Sequence, residues 1–318
     1  MKRTHGGHPD PRVLDFSASV SPLGPPASVI DALRDLVGLV ARYPEPDAGA
    51  LCRAAAAHHR VPPEAILAGN GAAELIYLVA STLRGVPTYL CEPGFGEYRA
   101  ACEASGARIV SSPDQARAVF VANPTNPHGA LCRAETLLSL CGIRVVDEAF
   151  MSFTDETESL ASLAAERPDL IVLRSLTKAY ALPGLRVGYL VAHPATVRRL
   201  AKLQPPWQVN ALAIAAGVAA LRDEDYLARL RAELPVLRDA LLRGVRERGI
   251  DAADSAANYV LCRVASAQQL TAGLLAHGIA VRDCSSFRGL TPDRHVRIAV
   301  RSEAENARLI RALRHLYP

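Results

Sequence analysis

The chain has 318 residues, half of them hydrophobic, and a formal net charge of +4 at pH 7. This length allows one large and one smaller domain with a sizeable core. Basic residues are scattered and there is no apolar run of about 18 residues, so we expect neither nucleic-acid binding nor a membrane span. The first residues lack the apolar stretch of a signal peptide, and the seven cysteines form no CxxC pair. These features predict reduced thiols, a cytoplasmic location and no metal site.

Lysine is rare in this chain. Of the 36 basic residues only Lys2, Lys178 and Lys202 are lysines, and the rest are arginines. Arginine therefore serves wherever positive charge alone is needed. Because arginine does not deprotonate in proteins, it cannot react as an amine with a carbonyl compound. A lysine that lies inside a motif is a candidate for covalent chemistry.

The first two thirds of the sequence predict an α/β domain. Residues 1–27, called the arm below, are rich in proline and indicate extended chain, and apolar spacing predicts a helix over roughly 28–40. From about 70 to 200, helix-like and strand-like segments alternate. One helix is predicted to begin after Asn70-Gly71, and a second helix is predicted to end at Gly106. Apolar strands are predicted at 86–93, 118–124, 143–150, 170–175 and 186–192. Such alternation is typical of a largely parallel sheet, which binds ligands at the carboxyl ends of its strands.

The pattern changes after Pro205-Pro206. We predict a large domain over 28–204 and a smaller α+β domain over 205–318. A long helical region runs to about Arg248, and Pro235 inside it predicts a kink or a break. Strands are then expected at 258–264 and 295–301, each followed by a helix.

Three features of the large domain bear on chemistry. Lys178 follows an apolar strand and Ser175, with Arg186 eight residues further on, so its amine can lie beside cationic groups that lower its pKa. The small residues 69–73 open a helix, where free N–H groups attract an anion. Asp147 ends a strand, where a buried carboxylate can keep a pyridine nitrogen protonated. Each feature alone also has a simpler structural interpretation. Residues 69–73 can form an ordinary turn, Asp147 can cap a helix, and Arg186 can be a surface arginine.

Together these motifs resemble the fold type I enzymes that use pyridoxal 5'-phosphate (PLP), in the aminotransferase branch. SLTKAYALPGLRVGY (175–189) is similar to the family's S-x-x-K…G-x-R-x-G-Y segment, and NPTNPHG (123–129) to its N-P-x-N-P-T-G loop, with His128 in place of threonine. DEAF (147–150) and RYPEPD (42–47) resemble D-E-A-Y and R-Y-P-D-P. The resemblance covers nearly the whole chain and implies PLP as cofactor.

The resemblance also implies a role for each matched residue. Lys178 binds PLP covalently, Asp147 pairs with the pyridine nitrogen, and Asn126 donates to the ring oxygen O3'. The phosphate is held by four residues: Ala72, Ala73, Ser175 and Arg186. Phe95 stacks on the ring, with Tyr98 as the alternative.

Further residues concern the partner subunit and the substrate. Tyr43 reaches the phosphate of a neighbouring subunit, which implies a homodimer. Arg297 binds the substrate carboxylate, and Arg282 resembles the additional arginine of members that act on phosphorylated substrates. His5 and His8 of the arm are candidates for the substrate phosphate or are surface histidines of a mobile arm. We expect Arg301 to be an ordinary surface arginine.

These sequence motifs resemble two branches of the family: decarboxylases of L-threonine O-phosphate in cobalamin synthesis, and aminotransferases of histidinol phosphate. Segments such as 14–26 and IAVRDCSSFRGL read more like the decarboxylases, although the arm is shorter than theirs. Phe150 also replaces a tyrosine that bonds O3' in many aminotransferases. We therefore predict a decarboxylase of a phosphorylated amino acid, with the 2-oxoglutarate-dependent aminotransferase as the alternative. A regulator without turnover is disfavoured, because Lys178 and Asp147 are both present.

Overall fold

The computed structural model describes residues 5–316. Its strands are β1 (Leu14–Asp15), β2 (Ile66–Gly69), β3 (Pro87–Leu90), β4 (Arg108–Val110), β5 (Ala118–Ala122), β6 (Ile143–Asp147), β7 (Leu170–Ser175), β8 (Gly188–Ala192), β9 (Asp251–Ala252), β10 (Tyr259–Arg263), β11 (Ile279–Ala280), β12 (Arg282–Asp283) and β13 (His295–Ala299). Its α-helices are α1 (Ala27–Leu36), α2 (Gly49–His59), α3 (Ala72–Ser81), α4 (Gly96–Ser105), α5 (Ala134–Leu138), α6 (Ala161–Ala164), α7 (Leu176–Ala179), α8 (Pro194–Ala201), α9 (Ala211–Arg222), α10 (Glu224–Arg246), α11 (Ala267–Ala276) and α12 (Glu303–Leu316).

The large sheet has seven strands in the order β2-β8-β7-β6-β5-β3-β4. Five of them, β3 to β7, run parallel, and β8 is antiparallel to both of its neighbours. Strands β5, β7 and β8 are buried along their whole length, because helices cover both faces of the sheet. The expected α/β fold with a mostly parallel sheet is confirmed.

Two apolar clusters pack on opposite faces of this sheet. Successive strand residues enter different clusters: Val146 and Val172 belong to one, and Val145 and Leu173 to the other. This alternation follows from the two-residue period of a strand. It decides which side chains at the strand ends reach the site and which are buried behind it.

A smaller antiparallel sheet, in the order β12-β13-β10-β9, follows in the C-terminal part. Helices α10, α11 and α12 pack around it. The arm joins this part, since β1 pairs in parallel with β11. Phe16 extends the connection: its N–H donates to the Ala280 carbonyl at 2.7 Å, and its carbonyl accepts from Ala299 at 2.9 Å.

Most of the predicted elements are present, with two differences. The helix expected over 28–40 is an α-helix only as far as Leu36, and the chain then forms a 3-10 helix over Val37–Ala41. Of the kink or break expected at Pro235, the break is wrong, because α10 runs through that residue. The long helical region is interrupted instead at Asp223, whose carboxylate accepts from the Tyr226 N–H at 3.0 Å and so begins a new helix.

The domain boundary at residue 205 stays a prediction. Helix α9, beyond that boundary, packs against α1 and α2. Gly217 lies so close to them that a Cβ there would come within 2.7 Å of Leu51. Across residues 5–316, no helix combines the length and the apolar character that crossing a bilayer requires.

Candidate functional site

Three of the predicted site residues, Asn126, Asp147 and Lys178, lie at or just after the carboxyl ends of β5, β6 and β7. In the sheet, Ala122 stands beside Asp147, and Asp147 beside Leu173. The loop that carries Asn126 leaves β5 at this edge, where the Asn123 N–H donates to the Asp147 carbonyl at 2.9 Å. Parallel strands therefore bring together segments that lie far apart in the sequence.

Lys178 lies on the one-turn helix α7, immediately after β7. Ser175 caps this helix: its hydroxyl accepts from the Thr177 N–H at 3.3 Å and lies 2.8 Å from the Thr177 hydroxyl. Burial and the positive charges of Arg297 and Arg186 lower the pKa of Lys178 to about 8. More of this amine is therefore unprotonated near neutral pH than in an ordinary lysine, and the unprotonated form is the one that attacks a carbonyl.

Asp147 is buried and held by two hydrogen bonds. The Tyr98 hydroxyl donates to its Oδ2 at 2.7 Å, and the Ala149 N–H donates to its Oδ1 at 3.0 Å. Burial raises the pKa of Asp147, against the effect of these two donors and of Lys178. A carboxylate in this setting is stabilised in its ionised form by a cation placed beside it, such as a protonated pyridine nitrogen.

A cradle for an anion is formed at the start of α3. Gly71 precedes this helix with φ of 81°, and a Cβ at Gly71 would lie 2.7 Å from the guanidinium of Arg186. Gly188 is equally confined, because a Cβ there would come within 3.1 Å of the Ala72 nitrogen. Gly188 also pairs with Ser175 in the sheet. The start of α3, Arg186 and Ser175 therefore lie close together, and this arrangement suits a phosphate.

Asn126 and Arg297 are in direct contact. The Asn126 side-chain oxygen accepts a hydrogen bond from Nη1 of Arg297, which leaves the amide nitrogen as the free donor. Arg297 also donates to the Ser17 carbonyl at 3.3 Å and lies 4.8 Å from the centre of the Tyr259 ring. Its Nε is buried and makes no hydrogen bond to any described residue. The bonds to Asn126 and Ser17 use two of the five N–H donors of the guanidinium, so the others remain for a ligand.

Arg282 lies beside Arg297, since the two residues are paired across β12 and β13. Both side chains are buried. Arg282 donates to the Ser286 hydroxyl at 3.0 Å and lies 5.8 Å from the centre of the Phe287 ring. Burial and the charge of Arg297 lower the pKa of Arg282. Two adjacent buried guanidinium groups favour an anion bound between them.

Phe95 and His5 lie next to each other at the start of α4. Their ring centres are 5.9 Å apart, and the His5 Nε2 lies 3.0 Å from a carboxylate oxygen of Glu97. Tyr98, the alternative to Phe95 as the ring that stacks on the cofactor, is packed face to face on Phe120 at 5.7 Å. With one face covered and its hydroxyl bound to Asp147, Tyr98 is less suited to that role, so Phe95 remains the prediction.

The remaining predicted residues lie in varied surroundings. Tyr43 is 84% exposed, with its ring 5.2 Å from that of Trp207, so it is accessible to a second subunit. Phe150 is buried against the edge of the Tyr259 ring at 4.9 Å. Arg301 is half-buried, pairs with Glu305 at 2.9 Å and donates to the Asp15 carbonyl at 3.3 Å, and its assignment as an ordinary surface arginine stays a prediction.

Sequence reasoning missed an ion network behind the site. Glu148, adjacent to Asp147, accepts from Arg174 at 2.9 Å, and Arg174 also pairs with Glu156 at 2.9 Å. Arg231 of α10 pairs with the same Glu156 at 2.7 Å. Glu148 follows Asp147 in the sequence and Arg174 precedes Ser175, and this closeness to the motifs was the only sign that could have pointed to the network. The network joins the ends of β6 and β7 to α10.

Known proteins are similar to this chain in sequence and in fold. The profile of the family described as aminotransferase class I and II matches residues 11–313. The chain is 36% identical to a threonine-phosphate decarboxylase of Salmonella typhimurium, over 98% of this chain and 93% of that protein. It is 32% identical to a histidinol-phosphate aminotransferase of Nitrosococcus oceani, over 94% and 88%.

A solved structure adds the cofactor. The histidinol-phosphate aminotransferase of Sinorhizobium meliloti in complex with pyridoxal-5'-phosphate is similar to this chain with a TM-score of 0.84 and 25% identity, over 94% of this chain and 90% of that one. The amine of Lys178, the carboxylate of Asp147 and the anion cradle at Gly71 fit this cofactor. The chain belongs to the class I and II aminotransferase family and uses PLP as its cofactor.

Proposed function

We propose that this protein is a decarboxylase that converts L-threonine O-phosphate, or a close analogue, to an amino-alcohol phosphate and carbon dioxide. The observation that carries the proposal is the pairing of two buried arginines, Arg282 and Arg297, on adjacent strands next to Asn126. A phosphorylated amino acid offers two anions, one for each guanidinium.

The direction in which the substrate is held decides the reaction. PLP, when bound, withdraws electrons from the bond that stands perpendicular to its ring plane. If Arg282 grips the phosphate more strongly than Arg297 grips the carboxylate, the carboxylate can turn out of that plane and leave. Arg282 and Arg297 thus orient the substrate, while Asp147 holds the pyridine nitrogen protonated.

Loss of carbon dioxide breaks the bond between Cα and the carboxyl carbon, and a proton must take its place. Lys178 is the candidate donor, because the pKa of its amine is lowered to about 8 and it lies at the centre of the predicted site. Asn126 and the anion cradle at Gly71 keep the cofactor in place during this step.

The alternative is an aminotransferase that moves the amino group of histidinol phosphate to 2-oxoglutarate. The relative from Nitrosococcus oceani, 32% identical, supports it. Two features favour the decarboxylase. The Salmonella typhimurium relative is more similar, and Phe150 lacks the hydroxyl that bonds the cofactor in many aminotransferases.

One assay separates the two. Phosphothreonine, phosphoserine and histidinol phosphate are incubated with the enzyme in parallel, with and without 2-oxoglutarate. We expect carbon dioxide from phosphothreonine without 2-oxoglutarate and without build-up of the pyridoxamine form of the cofactor. Stoichiometric glutamate from histidinol phosphate, with no carbon dioxide, would reject the decarboxylase in favour of the aminotransferase.

A further inference from the structure

The helix that carries Lys178 depends on contacts from outside itself. Helix α7 has only four residues, and a single turn cannot satisfy its own carbonyl groups or repay the cost of helix nucleation. Its neighbours do so instead. The Ser21 N–H of the arm donates to the Lys178 carbonyl at 2.9 Å, and the Tyr226 hydroxyl donates to the Ala179 carbonyl at 2.9 Å.

The Tyr226 hydroxyl joins three segments. Besides the Ala179 carbonyl, it lies 2.7 Å from the Gly24 carbonyl and 2.8 Å from the Ser21 hydroxyl. A phenol donates one proton, so the two carbonyls share it, and the Ser21 hydroxyl can donate to the phenol oxygen. The same group thus ties the lysine helix to the arm and to α10.

Tyr226 is itself held firmly. Its ring stacks on Tyr180 at 5.7 Å with an interplanar angle of 21°, and its backbone N–H donates to the capping carboxylate of Asp223. Only 2% of its surface is exposed. Burial raises the pKa of Tyr226 to about 12, so the hydroxyl keeps its proton at neutral pH.

We propose that Tyr226 is a positioning residue that fixes the Lys178 amine for attachment of the cofactor. It acts through the Ala179 carbonyl and the arm. Without its hydroxyl, the end of α7 loses one holding contact, and the lysine side chain spends more time in contact with solvent. The inference rests on the proposed attachment of PLP to Lys178.

The test measures how fast PLP attaches to the cofactor-free full-length protein as a function of pH, which reports the ionisation of the amine. In Tyr226→Phe we expect attachment at pH 7 to slow about fivefold, the factor that one net hydrogen bond of about 1 kcal/mol represents. The midpoint of the profile should rise correspondingly, by about 0.7 pH units. Ser21→Ala keeps the backbone N–H that donates to the Lys178 carbonyl, so it should shift this midpoint in the same direction but by less.

The matched control is Tyr180→Phe, which removes a hydroxyl from the neighbouring ring of the same stack. It should leave the attachment profile unchanged, and thermal unfolding shows whether either variant is generally destabilised. An unchanged profile in Tyr226→Phe, with borohydride fixing PLP to Lys178 in the parent protein, would overturn the positioning role alone. Fixation at another residue would overturn the proposed attachment site and this inference with it.

Discussion

Arg282 and Arg297 stand directly opposite each other on the antiparallel strands β12 and β13. Like charges in that relationship destabilise a sheet. Both side chains are buried, so solvent screens their repulsion little. A bound dianion removes the repulsion, and the pairing is therefore best explained by the ligand it serves.

Replacing Arg282 should separate binding from stability. In Arg282→Gln we expect kcat/KM for the phosphorylated substrate to fall about 10- to 100-fold, the range for losing a hydrogen bond to a charged group. Stability of the substrate-free protein should change little, because removing the repulsion offsets the loss of the hydrogen bond to Ser286. Steady-state kinetics and urea unfolding measure the two effects. Arg301→Gln, which lies just after the neighbouring strand β13 and is paired with Glu305, is the control and should leave kcat/KM unchanged.

Lys178 should be the residue to which PLP is attached. Lys178→Ala is expected to lose the absorbance of the bound cofactor and to lower activity by about 10³-fold or more. Mass spectrometry after borohydride reduction locates the attachment. Lys202→Ala, which removes an exposed lysine after α8, is the control. A label on Lys202 in the parent protein would show the assignment to be wrong.

Tyr98 should govern the ionisation of Asp147. The pKa of this carboxyl is already raised by burial, and the Tyr98 hydrogen bond opposes that rise. Tyr98→Phe removes the opposing effect, so the acid limb of the pH–activity profile should move to higher pH and PLP should bind more weakly. Tyr89→Phe, a half-buried tyrosine in β3, serves as the control. An unmoved acid limb in Tyr98→Phe would contradict this role.

Tyr43 should report on the dimer. We predict a homodimer by light scattering, with Tyr43→Phe retaining the fold but releasing PLP faster on dilution, because its hydroxyl is predicted to reach the partner's phosphate. Val236→Ser, at an exposed position on α10, should release PLP at the parent rate. A monomer with full activity would contradict the prediction.

The ion network should make stability depend on pH. Burial opposes ionisation of Glu156, but Arg174 and Arg231 outweigh it and lower its pKa to about 2, from an ordinary value of 4.5. Its contribution is therefore complete above about pH 4.5 and is lost as the pH falls towards 2. Glu156→Gln should cost about 3 kcal/mol in the free energy of unfolding at pH 7, and the difference from the parent should shrink in acid. Urea unfolding at pH 7 and in acid measures this difference. Glu135→Gln, at an exposed position, is the control and should change the free energy of unfolding little.

The sequence predicts this fold well where apolar runs are long. Strands β5, β6 and β7 and the helix after Gly71 follow from hydrophobic pattern and glycine position. Strands β1, β11 and β12 have two residues each, which is too short for any period to show. The break at Asp223 had a signal, an acidic residue opening a helix, but the proline at 235 is a more conspicuous breaker.

Motifs predicted Lys178, Asp147 and Arg186 in one site, because Asp147 ends β6, Lys178 follows β7 and Arg186 lies just before β8 of the same sheet. Contacts between distant segments were not predictable in this way. The bond from Tyr98 to Asp147 spans 49 positions of the chain, and that from Arg297 to Asn126 spans 171. Neither side chain belongs to a pattern that names its partner, so only the packed fold reveals them.

Asp147 and Glu148 are consecutive carboxylates that point to opposite faces of the large sheet. A slip of β6 by one residue would exchange them and present a chemically similar group to the cofactor. The Arg174 pair at 2.9 Å, together with the Ser159 hydroxyl at 2.6 Å, retains Glu148 on the far face. The ion network thus favours the native register of β6 over one shifted by a residue, because a shift would take Glu148 away from Arg174.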